Sequence, residues 1–205
     1  MAKEISPKLL KHFKKVTSKQ SSRPALQCIF YGEDGSLSAT DSHRLIHIKN
    51  FHNYETPVLQ NPETLEILTD VNYPRVDRMI PEMNEDTFQM KIDANELKLA
   101  LKAVKEPKLG TVRMDFKGDC IELRSGIKEN SIVVRVDAKA SNQSFETISF
   151  NGSYLNDALM FCTDLIPRLN DKIVTFYFDK SPIRPFTVMA GNVDYIYICT
   201  PIRTH

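Results

Sequence analysis

Residues 87–202 set out their elements in an order that few folds accept: one strand, a helix, four strands, a second helix and three strands. Residues 87–92 alternate apolar and polar side chains at strand spacing. Asp93 and Glu96 then stand three apart, as a capping box requires, ahead of the helical stripe Leu97, Leu101 and Val104. Strand patterns follow at 111–116, 120–125, 131–138 and 146–150. A helix is predicted over about 153–164, and strands over 172–179, 185–190 and 195–202. Helices set among runs of strands, without a regular βα alternation, predict an α+β protein with antiparallel sheets and helices on one face.

The first 81 residues are less regular. Ser6 as N-cap and Pro7 at the first helical position open a helix predicted over 6–19, with Leu9, Phe13 and Val16 as its apolar stripe. Lys8, Lys11, Lys15 and Lys19 fall on the opposite side, beside Lys14 and with no acidic residue among them. Such a face is ordinarily a solvated surface; the sharper reading aims it at phosphates. Lys98, Lys102 and Lys105 form a second basic stripe. Strands are predicted over 26–31, 36–40 and 45–49, with Gly32-Glu33-Asp34-Gly35 turning between the first two, and a short helix over 62–68 starting at Pro62. The polar, aperiodic run 82–86 marks a boundary, giving domains of 1–82 and 83–205.

Several function classes lose their footing. The seven glycines include no phosphate-binding loop, and His43, His47 and His52 lie in strand and loop rather than at helical metal-ligand spacing. Glu63, Glu66 and Asp70 share no helical face with a histidine. Asp41, Ser42 and His43 are neighbours on an extended segment, where adjacent side chains diverge, so a hydrolase built on them is kept only as a control. No catalytic residue, metal or cofactor is expected. There is no run of eighteen apolar residues and no apolar leader, so no membrane partner is expected. Cys28, Cys120, Cys162 and Cys199 are far apart, which fits a reducing cytoplasm. A net charge of +1 argues mildly against nucleic acid, and the lysine stripes argue the other way.

A resemblance carries the functional expectation. Ala39-Thr40-Asp41-Ser42-His43-Arg44-Leu45 is similar to the Ala-Thr-Asp-Gly-His-Arg-Leu segment in the middle domain of bacterial β sliding clamps, the processivity factors of DNA polymerase III. Residues 72–81, from Asn72-Tyr73-Pro74-Arg75, resemble the end of that domain; 148–155 resemble the strand-to-helix entry of the C-terminal domain; 195–203 resemble the family's ending. All four matches keep the family's order. They imply a complete C-terminal-type domain over 83–205, preceded over 1–82 by a middle-type domain cut to little more than half.

What the resemblance implies for function is binding without catalysis. Clamp partners insert a short peptide into a cleft whose wall would here be Thr40, His43, Arg44, Leu45, Pro74, Arg78, Met79, Pro185, Ile198, Pro201, Ile202 and Arg203. The implied partners are DNA polymerase or clamp-loader subunits, and duplex DNA held without sequence preference by Lys8, Lys11, Lys15, Lys19, Lys98, Lys102 and Lys105. The alternative is a non-encircling mimic that competes for clamp partners. Ser42 stands where the family has glycine, which tilts the corner if a positive φ is needed there; Thr200 and Ile202 stand where it has methionines. Clamp rings hold six similar domains, so a homo-oligomeric ring would need three copies of this chain. The shortened first domain points instead to a monomer or dimer.

Overall fold

The Ser6 hydroxyl accepts the N–H of Leu9 at 3.2 Å and opens the first helix, α1 (Pro7–Val16), in a computed structural model that describes residues 4–69, 71–81, 87–104, 110–125, 131–141, 146–165, 172–191 and 194–203. The helix stops at Val16 rather than reaching Lys19. Thr17 takes extended backbone, and the Ser18 N–H donates to the Leu26 carbonyl at 2.8 Å, drawing the chain off the helix axis. Leu9, Phe13 and Val16 are buried as the stripe predicts, with Phe13 fully buried. Truncating Phe13 would cost about 3–5 kcal/mol.

The described residues form two compact units. The first runs to Ile80 and takes back a segment ending at Ile198. After α1, Pro24–Gln27 makes a 3-10 turn, closed by the Cys28 N–H donating to Ala25, where a strand is predicted to begin. Five strands follow: β1 (Ile29–Tyr31), β2 (Leu37–Thr40), β3 (Arg44–Ile48), β4 (Val58–Gln60) and β5 (Ile67–Leu68). They pair antiparallel in the order β3-β2-β1-β4-β5, and α1 packs on β2 and β3. Gly35, at φ 78°, turns β1 into β2; an added Cβ would lie 2.6 Å from the His52 carbonyl oxygen, so only glycine lets 51–52 pass so close.

The predicted helix over 62–68 is not formed. The Asn61 side-chain oxygen accepts the N–H groups of Glu63 and Thr64, Leu65 sits at φ 63°, and the Asn61 N–H donates to Glu66. These bonds close a hairpin between β4 and β5; the local side-chain acceptor outcompetes a helix with Pro62 at its start. Val76–Met79 is a 3-10 turn, and the Tyr73 ring stacks on Phe30 with centroids 4.7 Å apart.

The second unit holds β6 (Phe88–Asp93), α2 (Ala94–Val104), β7 (Thr111–Phe116), β8 (Cys120–Ser125), β9 (Ile132–Asp137), β10 (Lys139–Ala140), β11 (Thr147–Asn151), α3 (Gly152–Leu165), β12 (Ile173–Phe178) and β13 (Phe186–Met189). Asp93 caps α2, its Oδ1 accepting from Asn95 at 2.7 Å and Glu96 at 3.1 Å. The strand before each helix pairs away from the strand after it: β6 joins β12, and β11 joins β7. The outcome is a sheet β11-β7-β8-β9 and the strands β10-β6-β12-β13, with α2 packed on β6, β8 and β9 and α3 on β11 and β13. Phe88, Phe116, Phe176, Phe178 and Phe186 pack ring against ring at the core. The run 131–138, predicted as one strand, ends at Asp137, and β10 crosses to pair with β6.

The last strand, β14 (Tyr195–Cys199), lies beside β3 and groups with the first unit through Ile198. It stops three residues short of the predicted end, although the Ile202 N–H still donates to the Ser149 carbonyl at 2.7 Å. Antiparallel sheets with a few helices make the chain α+β. Residues 82–86, the boundary run, lie outside the described residues.

Candidate peptide- and nucleic-acid-binding surfaces

The corner between β2 and β3 is held by its own side chains. Thr40 Oγ1 accepts the Ser42 N–H at 3.1 Å and donates to the Arg44 carbonyl at 2.6 Å. Asp41 Oδ1 accepts the backbone N–H groups of His43 and Arg44, and its Oδ2 pairs with Arg44 Nε at 2.9 Å. Arg44 then reaches α1, where its Nη2 donates to the Lys15 carbonyl at 2.5 Å, near the helix end that favours a cation. Ser42 does occupy a positive φ, 80°, and its hydroxyl accepts from Arg23 at 3.0 Å. Asp41 takes the backbone N–H groups of His43 and Arg44 and the side chain of Arg44, a set of bonds that shapes a turn.

The residues expected to line a peptide wall fall into three exposure groups. Thr40, Leu45 and Ile198 are buried in strands of the first unit. Arg44, Met79, Pro185 and Pro201 are half-buried, and His43, Pro74, Arg78, Ile202 and Arg203 are exposed. In the first unit the backbone brings Thr40 opposite Leu45. Tyr73, immediately before Pro74, is half-buried with its hydroxyl shielded from solvent, and that burial pushes the hydroxyl pKa up. Ile202 is the exposed apolar side chain near the chain's end, at 37% exposure.

Of the lysines expected to face DNA, Lys8, Lys11, Lys19 and Lys102 are exposed, while Lys15 and Lys98 are half-buried. Lys105 lies outside the described residues. Lys98 Nζ lies 3.5 Å from Thr163 Oγ1, bridging α2 to α3. The absence of acidic residues within α1 does not leave its surroundings uniformly basic. Glu63, in the β4–β5 hairpin, pairs with Lys14 at 2.9 Å and Lys19 at 3.5 Å, and the Lys14 bond holds its carboxyl below the usual range. Among the described residues no group of three or more His, Cys, Asp or Glu side chains is placed to hold a metal ion.

A charged cavity on β7 and β8 escapes sequence reading. Arg113, Asp115, Lys117, Arg124 and Glu146 line about 270 Å³ on the second unit. The alternation of charges along 111–116 and 120–125 was its only signal, and which charges meet depends on a register that sequence does not give.

No family model matches the chain. It is 26% identical over 145 residues to the beta sliding clamp of Lactococcus lactis subsp. lactis (strain IL1403), a match covering 67% of this chain and 36% of that protein. Among solved structures, the DNA polymerase sliding clamp of Bacillus subtilis superposes with a TM-score of 0.77 at 21% identity, over 97% of this chain and 62% of that one. The DNA polymerase III beta subunit of Thermotoga maritima gives 0.78 at 17% identity, over 97% and 63%. That of Streptococcus pneumoniae TIGR4 gives 0.75 at 23%, over 100% and 67%. The chain therefore spans about a third of the curated relative and under two thirds of the first two solved clamps. In fold over nearly its whole length, and in sequence over two thirds of it, the chain is similar to bacterial β sliding clamps.

Proposed function

We propose that this chain serves DNA replication as a clamp-like processivity factor, binding short peptide motifs of DNA polymerase or clamp-loader subunits and approaching duplex DNA through its lysine faces, without catalysis. The observation that carries the reading is the β2–β3 corner. Ser42 pays the strain of a left-handed backbone, Asp41 holds the turn through two backbone N–H groups and the Arg44 side chain, and Arg44 ties the turn to the end of α1, in a unit otherwise cut short. Fold upkeep alone does not require so costly a corner, whereas a surface that must present fixed apolar and cationic side chains to a peptide does. The similarity to beta sliding clamps supports the same reading. Such a protein works in the cytoplasm, where its four buried, free cysteines stay reduced.

A second reading has its own support. Glu63 already pairs with Lys14 and Lys19 and offsets one of their two charges, which weakens the basic field around α1 and favours a mimic that occupies clamp partners without gripping DNA.

The test is a titration with a peptide bearing a Gln-Leu-x-Leu-Phe-like motif. Affinity near micromolar, about 8 kcal/mol, is expected for apolar anchors filling a small site. Leu45 is fully buried, so replacing it would report unfolding. Ile202→Asp and Arg78→Glu, at exposed positions, are the informative variants, and together they should weaken binding at least about tenfold. Wild-type protein that shows no saturable binding, or a double variant that binds equally, rules the peptide site out.

A further inference from the structure

The outward face of the sheet β11-β7-β8-β9 carries a charge arrangement that costs stability unless something uses it. Arg113 stands directly opposite Arg124, and Asp115 directly opposite Glu122. Like charges facing across a strand pair repel. The pairs that offset this run diagonally. Asp115, 8% exposed, accepts Arg113 Nε on Oδ1 at 2.7 Å and Arg124 Nε on Oδ2 at 2.9 Å, and Arg124 Nη2 donates to Glu122 at 2.6 Å.

The consequence is an Arg113 guanidinium fixed by its Nε rather than by its fork, beside an Arg124 held at both Nε and Nη2. Among the described residues, neither terminal nitrogen of Arg113 donates to a protein atom, and Lys117 Nζ likewise has no recorded acceptor. These donors line the 270 Å³ cavity together with Arg124, and its cations outnumber the carboxylates of Asp115 and Glu146 by one. Burial raises the Asp115 pKa, but its hydrogen bonds outweigh that and keep it below the ordinary carboxylate range, so the anchor stays ionised at neutral pH. The cavity is smaller than the roughly 300–1,000 Å³ of pockets for drug-sized ligands, which suits one charged group and a short carrier.

We propose that this cavity is an oxyanion site, in which the fork of Arg113 and the ammonium of Lys117 hold one phosphate or carboxylate group while Asp115 fixes the orientation of both arginines. The planar fork gives two parallel hydrogen bonds to such a group, and Lys117 adds a point charge. This inference stands apart from the peptide and DNA readings, because it uses none of their residues.

The experiment follows the Arg Nε–H signals of the full chain by NMR at constant chloride during titration with inorganic phosphate and, separately, glutarate. Saturable shifts of the Arg113 and Arg124 signals are expected. Saturation by phosphate alone assigns a phosphoryl group; saturation by glutarate as well extends the site to carboxylates; saturation by glutarate alone restricts it to them. Arg113→Gln and Lys117→Gln should each raise the half-saturating concentration at least about threefold, and together at least about tenfold. Lys117 is exposed, so its substitution leaves the sheet intact and keeps the test open if Arg113→Gln disturbs Asp115. Linear, non-saturating shifts with both probes, or unchanged half-saturation in Lys117→Gln, overturn the site.

Discussion

Ser42 shows what a single backbone angle does to a site. At φ 80° a side chain crowds the following carbonyl, at a cost of about 1–2 kcal/mol that glycine would avoid. The side chain partly offsets the cost, since its hydroxyl accepts from Arg23. The need for a left-handed residue was readable from the resemblance to a glycine-bearing segment, but the bond to Arg23 was not, because the two are nineteen residues apart in the chain. His47 sits nearby in β3, buried, with Nδ1 3.0 Å from Ser38 Oγ. Burial lowers its pKa below 6.5 and Lys49 acts in the same direction; Asp34 and Asp77 oppose them only in part. The unfolded chain then binds the proton more readily than the folded one, so this contribution to stability is whole above pH 6.5 and drains away as pH falls below it. Urea midpoints at about pH 7.5 and about pH 5 should show the folded state weaker in acid, and His47→Gln should narrow that gap. An unchanged gap in the variant would assign the acid sensitivity to other groups.

Among elements, most of those fixed by neighbours in sequence were legible and those fixed at a distance were not. The Ser6 and Asp93 caps, the stripes of α1 and α2, and the alternation of β7 and β8 are local facts that sequence displays directly. The crossing of β10 depends on a partner strand far along the chain, whereas the Asn61 turn and the 3-10 turn at Pro24–Gln27 are local bonds that won over the helix and strand patterns of the same residues. Glu63 is likewise fixed at a distance, reaching Lys14 across 49 residues. The helices also carry the DNA prediction. Lys11 on α1 and Lys102 on α2 are exposed, so if they meet phosphates, binding should be sequence-independent and should fall steeply with salt. Lys11→Glu with Lys102→Glu should then flatten the slope of log affinity against log salt by about two units. Fluorescence anisotropy with a labelled duplex measures it, and an identical slope in the double variant would leave these lysines as solvated surface.

At the scale of the whole molecule, the sheet of the first unit ends on the two-residue strand β5, where Ile67 is 61% exposed. A short edge with an apolar side chain offers little to a continuous sheet between copies, and specific interfaces ordinarily bury well over 1,000 Å². A monomer or dimer is therefore expected by light scattering; a stable trimer would instead restore an encircling arrangement. The order of elements in the second unit was legible because each carries its own pattern, whereas the return of β14 to β3 was not, since sequence shows no mark of which edge a strand will join.

That return sets a timetable for synthesis. The Lys49 N–H donates to the Asp194 carbonyl, and β14 covers the edge of β3, so strands made earlier wait for one made much later. At about 5–20 residues per second, some ten seconds pass between the emergence of Ile80 and that of Ile198. Throughout that interval β3 presents a bare edge while the second unit is still being made. A ribosome that stalls within α3 or β12 would leave that edge open to the first extended strand it meets.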